Sequence, residues 1–175
     1  MRNTVILSEQ RFQFRTLAPA DIPMLNEWLS RPHVAEWWDE QVSDEELHAQ
    51  YFTPDPGAPG TRYYIAHLDG RPIGYIQSYV PAEEHGEWWP DVDDPSIRGI
   101  DQFLADADGL GKGVGTAMVR AFIDKLFADP TVTRIQTDPD PENPRAIRCY
   151  EKAGFRQIRE IDTPDGRELL MYCDV

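Results

Sequence analysis

Apolar and polar residues alternate from Phe12 to Leu17 (Phe-Gln-Phe-Arg-Thr-Leu), the period of a half-buried strand. The period then changes. After Asp21, Met24, Leu25, Trp28 and Leu29 recur at helical spacing, which predicts a helix ending before Pro32. Ser43-Asp44-Glu45-Glu46 is a capping box ahead of Leu47 and Tyr51, so a second helix opens there. The run from Pro54 to Gly60 is a loop. It leads to strands at Tyr63–Leu68 and Ile73–Val80 joined by the turn Asp69-Gly70. Ile97–Leu104 reads as another strand, and Val114–Phe127 as a helix whose apolar stripe is Met118, Val119, Phe122, Ile123 and Leu126. Thr133–Thr137 predicts a short buried strand. Phe155–Ile161 and Leu169–Cys173, around the turn Pro164-Asp165-Gly166, complete the pattern. The order β-α-α-β-β-β-α-β-α-β-β describes one mixed α/β domain spanning residues 1–175.

Between the last helix-length gap and those final strands lies Asn143-Pro144-Arg145-Ala146-Ile147-Arg148-Cys149-Tyr150-Glu151-Lys152-Ala153-Gly154-Phe155. Asn143 suits an N-cap, Pro144 the first helical position and Gly154 the left-handed stop. Ala146, Ile147 and Tyr150 share a face with the cap, so a short helix holds an asparagine and a phenol in line.

Composition narrows the partners. With 31 acidic against 17 basic side chains the formal net charge is −14, which argues against nucleic acid or an anionic membrane and favours cationic ligands. Acids concentrate locally: six and no base from Glu36 to Glu46, seven with only Arg98 from Glu87 to Asp108. No apolar run reaches membrane-spanning length, and Met1–Leu7 lacks a secretory pattern. Cys149 and Cys173 have no metal-type spacing, so free thiols, a reducing cytoplasm and no metal are expected. The four histidines, His33, His48, His67 and His85, are scattered and read as surface or packing residues. Monomer and homodimer remain equally open.

Leu110-Gly111-Lys112-Gly113-Val114-Gly115-Thr116 lies between a strand and a helix. Glycines there let a backbone approach a phosphate, and the helix N-terminus adds unpaired N–H groups. The loop is neither a Walker loop nor the dinucleotide fingerprint, since Thr116 stands where the third glycine belongs. Alone it reads equally well as a tight turn.

Joined to Asn143, Tyr150 and Gly154-Phe155, the loop is similar to that of the Gcn5-related N-acetyltransferase (GNAT) family. The resemblance implies a mixed, mostly antiparallel central sheet flanked by helices, with a strand splayed at the acetyl-CoA site. It also implies that acetyl-CoA is the co-substrate, its pyrophosphate on the loop Leu110–Thr116 and its pantetheine arm along the strand at Phe103 and Leu104. Asn143 would contact it near the reaction centre, and Tyr150 would protonate the departing thiolate. Leu110 departs from the pattern, which begins with Arg or Gln. That departure removes a side-chain contact to phosphate and leaves the backbone cradle.

Further blocks, Glu36-Trp37-Trp38, Gly74–Tyr79, Trp88-Trp89, Arg98-Gly99-Ile100-Asp101-Gln102, Gln136-Thr137-Asp138-Pro139 and Thr163–Gly166, resemble the aminoglycoside 6′-N-acetyltransferases in order over nearly the whole chain. This implies a polycationic aminoglycoside as acceptor and direct transfer in a ternary complex. Asp101 would be the base or orienter of the ammonium, and a backbone N–H near Phe103 would face the developing oxyanion. Trp38, Tyr51, Trp88, Trp89, Asp138 and Asp165, with Glu36, would line the acceptor side. The bland alternatives are an edge carboxylate at 101, a core tyrosine at 150 and packed tryptophans. Cys149 reads as packing: it points about 100° from Tyr150 and has no histidine base nearby in sequence. Two other readings stand beside this one: a GNAT enzyme acting on siderophore hydroxylysine or another amine, and a CoA-binding module without activity.

Overall fold

A computed structural model describes residues 11–39, 42–84 and 87–175. The N-terminal stretch read for a leader, Glu40 of the first acidic run and His85 lie outside these residues. Seven strands form one sheet in the order β1-β2-β3-β4-β5-β7-β6: β1 (Phe12–Thr16), β2 (Arg62–Leu68), β3 (Arg71–Tyr79), β4 (Ile97–Leu104), β5 (Arg134–Thr137), β6 (Arg156–Thr163) and β7 (Gly166–Asp174). All neighbours run antiparallel except β4 and β5. Among the described residues five α-helices flank the sheet: α1 (Ile22–Leu29), α2 (Pro32–Ala35), α3 (Asp44–Phe52), α4 (Val114–Phe127) and α5 (Pro144–Ala153).

The sequence accounts for most of these boundaries. Ser43 accepts from the Glu46 N–H at 3.2 Å while Glu46 accepts from the Ser43 N–H at 2.9 Å, so α3 begins with the expected reciprocal cap. Asp69 and Gly70 both take positive φ (51° and 77°), the turn a two-residue hairpin requires. One element was not anticipated. Pro32 does not merely follow α1; it sits in the first turn of α2, where its missing N–H costs nothing.

Pleating sends adjacent residues of the central strands to opposite faces. Ile65, Tyr75 and Phe103 pack with Leu25, Leu29 and Leu47 of α1 and α3. Ile76, Ile100 and Ile135 pack with Phe122 of α4 and Tyr150 of α5 on the other face. The sheet therefore has a core on each side.

The parallel pair positions the site. β4 and β5 are in register only at Ile97–Arg134, Arg98–Ile135 and Gly99–Gln136. The buried Thr137 hydroxyl then donates to the Ile100 carbonyl at 3.0 Å, and beyond this point the strands diverge. β4 continues along β3 as far as Leu104, so the sheet forks at its centre.

Candidate active site

Ladder parity decides which β4 groups face the fork. In an antiparallel pair each residue turns its N–H and C=O to the same side. Ala105 N–H donates to Ile73 O toward β3 at 2.9 Å, whereas the Leu104 carbonyl meets His33 Nε2 at 2.9 Å and the Ile100 carbonyl meets Thr137. Phe103, in step with Ala105, thus turns its amide into the ladder opposite Tyr75, and Gln102 and Leu104 turn theirs to the fork. A donor near Phe103 would therefore be the amide of Gln102 or Leu104 rather than that of Phe103 itself. A sequence does not reveal this parity before the pairing is known.

At one end of the fork is the glycine loop. Gly111 and Gly113 adopt positive φ (71° and 83°) with open space around them, and Gly113 caps α4. No acidic side chain lies in the first turn of this 14-residue helix, so its N–H groups and dipole are available to an anion. Leu110 packs against the cluster of Leu104 and Met118. Lys112 is exposed, Gly115 approaches Cys149, and the Thr116 hydroxyl lies 3.8 Å from the Cys149 sulfur. Burial first of all pushes the Cys149 thiol up, away from thiolate character, in keeping with a packing role.

At the other end α5 forms as read. Asn143 Oδ1 accepts from the Ala146 N–H at 3.1 Å, and the Phe155 N–H returns to the Tyr150 carbonyl at 3.0 Å. The cap commits Oδ1 and leaves the Asn143 amide hydrogens for the cleft that the residue lines. Tyr150 is 4% exposed. Burial, then the charge of Asp101, holds its phenol protonated far above neutrality, with Thr137 and Gln102 beside it.

The fork opens into a cleft of about 800 Å³. Among the described residues its lining carries eight carboxylates, four tryptophans and no basic side chain. Trp38, Trp88, Trp89, Asp101, Asp138 and Asp165 all contribute, as does Glu36. The two adjacent tryptophans both reach the cleft because their segment is bent rather than a strand; Trp89 stacks on Tyr79 at 6.1 Å. Tyr51 does not line the cleft. It is buried among α3, Tyr63 and Tyr75, with ring centroids 4.7 and 5.9 Å away, because its helical phase faces the sheet.

Gly99 explains part of the Gly-Ile-Asp-Gln block. A Cβ there would fall within the Tyr79 ring, which lies across the glycine. Tyr79 in turn lies beside Asp138.

Crowded carboxylates resist ionisation. Burial raises Asp101 to about 6 against a hydrogen bond from Gln77. Burial and then Asp101 raise Glu84 to about 7, while burial followed by Asp140, Asp165 and Asp101 raises Glu168 to about 7. Asp138 is also raised, by burial and then by Asp101, Glu168 and Glu84. Sequence reading gave Gln77, Glu84 and Glu168 no role; strand pairing brings Gln77 and Glu168 to the cleft, and the turn after β3 brings Glu84.

These shifts have a consequence for stability. Between the ordinary carboxylate range and the raised values, the folded chain holds more protons than the unfolded one, so stability falls as pH rises. Asp21, lowered by its hydrogen bond with Arg15, changes below that window. The ligand-free protein should therefore melt at higher temperature near about pH 5 than near about pH 8. A scanning-fluorimetry series with a flat or opposite trend would contradict the crowding.

The forked sheet thus joins a bare helix N-terminus at one end to an acidic, aromatic cleft at the other. A family model for the acetyltransferase (GNAT) domain matches residues 18–163. The chain belongs to this family and is an acetyl-CoA-dependent N-acetyltransferase, which displaces the reading as a passive CoA-binding module. It is 47% identical over 167 residues to the aminoglycoside N(6′)-acetyltransferase type 1 of Klebsiella pneumoniae, covering 94% of this chain and 83% of that one. Lysine N-acyltransferase MbtK of Mycobacterium tuberculosis (strain CDC 1551 / Oshkosh) is 28% identical over 171 residues, 93% of this chain and 77% of that one. The solved structure of AAC(6′)-Ib in complex with paromomycin and acetyl-CoA aligns with a TM-score of 0.89 at 47% identity over 93% of both chains.

Proposed function

We propose that this protein acetylates the 6′-amine of an aminoglycoside, with both substrates bound together. The observation that carries this reading is the cleft, which among the described residues presents eight carboxylates, four tryptophans and no base and opens to the fork at Asp101. Carboxylates attract and orient a polycation, while indole faces take sugar rings or cap the site. The 47% identity to an aminoglycoside N(6′)-acetyltransferase supports the same acceptor.

Acetyl-CoA supplies the acetyl group as a thioester. The bare first turn of α4 and the open glycine turn suit its phosphates, and the fork suits an extended arm. In this reading Asp101 orients the acceptor ammonium and takes its proton; a carboxyl near 6 is largely ionised at neutral pH yet basic enough to accept. The Gln102 or Leu104 amide donates to the acetyl carbonyl oxygen, and Tyr150 delivers a proton to the sulfur.

Acetyl-CoA with kanamycin or tobramycin should release thiol rapidly, with the product acetylated at the 6′-nitrogen by NMR. No release above background across several 6′-amino aminoglycosides would sink the assignment. Hydroxylysine and lysine belong in the same panel, since MbtK resembles the chain too. Faster turnover of either would move the acceptor to an amino acid side chain.

A further inference from the structure

Asp101 is not held by the cleft alone. Gln77 lies directly across the β3–β4 ladder from it and donates from Nε2 to Asp101 Oδ2 at 2.8 Å. Two residues back on the same face of β3, the Tyr75 hydroxyl donates to Gln77 Oε1 at 2.6 Å. Tyr75 is fully buried, stacked on Phe103 and met edge-on by Trp38. A line of hydrogen bonds therefore runs from the core to Oδ2 of a carboxylate that lines the cleft.

We infer that Tyr75 and Gln77 are positioning residues, which fix the Asp101 side chain in the orientation and charge state that meet the acceptor ammonium. The inference rests on Asp101 as proton acceptor for its kinetic readout only.

Direction along the line follows from what each group can donate. A carboxylate only accepts, so the Gln77 amide must present its NH₂ to it. The amide oxygen then faces Tyr75, whose hydroxyl is the donor that holds this orientation. Turned over, Gln77 would set its own oxygen against the Asp101 carboxylate, so ionised Asp101 and the Tyr75 bond select the same orientation. The line opposes desolvation, the dominant influence on Asp101. It also opposes the neighbours that Asp101 faces from other elements: Glu84 after β3, Asp138 after β5, Glu168 of β7, and the neutral phenols of Tyr79 and Tyr150. None of these neighbours is basic, so Gln77 is the donor that stabilises the charge before the acceptor arrives.

The test uses the full chain and two readouts. Carboxyl-carbon NMR follows the titration of Asp101 itself in Gln77→Met, Tyr75→Phe and the double variant, and kcat/KM against pH follows its use. Gln77→Met should move the Asp101 titration and the acid limb toward higher pH, with kcat/KM down about tenfold near about pH 6 and less than about twofold near about pH 8. Tyr75→Phe should move both in the same direction by less, and the double variant should match Gln77→Met. A merely structural role would lower activity uniformly across pH. An unmoved Asp101 titration in Gln77→Met overturns the inference. So does a shift there with none in Tyr75→Phe, or additive shifts in the double variant. If Gln77→Met does not fold, Tyr75→Phe carries the test alone, since it keeps the ring and its packing. A moved carboxylate titration beside an unmoved kinetic limb would leave the positioning pair standing and remove Asp101 as proton acceptor.

Discussion

Asp101→Asn should lower kcat/KM for the acceptor by about a hundredfold to ten-thousandfold, the range for removing a positioned acid–base group. Asparagine keeps the volume and can still hydrogen-bond Gln77, so the loss reports proton acceptance and charge rather than packing. The second expected sign is in the pH profile. Asp101 is raised to about 6 by burial, so the wild-type free enzyme gains activity as pH rises through that value. The limb due to this group should vanish in the variant. A loss of less than about tenfold with the limb intact would place the proton elsewhere in the cleft.

Tyr150→Phe is expected to lower kcat by about tenfold to a hundredfold while leaving the affinity for CoA within about twofold. The ring stays, so its edge contact with Phe155 at 5.4 Å and the packing of α5 on the sheet persist. Only the hydroxyl, the proposed proton donor, is lost. Burial holds that phenol in its protonated form across the working pH range, the form an acid needs, and its neighbours Thr137 and Gln102 sit where the sheet forks. Equilibrium binding of CoA beside steady-state kinetics checks the split. An affinity loss equal to the rate loss, or no loss of rate, would reduce Tyr150 to a core residue.

Local chemistry made much of the fold readable. Capping at Ser43 and Asn143, the Asp69-Gly70 turn and the apolar stripe of α4 each depend on residues a few positions apart, and the structure reproduces them. α2 was missed because a proline was read as a stop when it can equally start a helix. At the site, the motif residues Asp101, Asp138, Asn143 and Tyr150 line one cleft. Tyr51 was placed there by resemblance, but its packing against Tyr63 and Tyr75 assigns it to the core. Gln77 sits in the Gly74–Tyr79 block without a role of its own, and Glu84 and Glu168 carry no local signature. Gln77 and Glu168 reach the cleft through strands paired over long sequence separations, Glu84 through the turn after β3, and which amide beside Phe103 faces the fork follows from the same pairing.

The fork in the sheet also bears on how this protein avoids its own kind. Where β5 leaves β4, the backbone of Gln102 and Leu104 forms a sheet edge in the middle of a seven-stranded array rather than at its rim. Open edges invite foreign strands and aggregation, and outer edges are commonly blunted with charge, proline or bulges. Here shape does the blunting. The edge lies inside a wedge closed at one end by the last β4–β5 rung, where another flat sheet cannot dock but a single slender chain can. One geometry would thus serve both colloidal safety and the proposed entry of the co-substrate, and substitutions that widen the wedge should be felt first as precipitation.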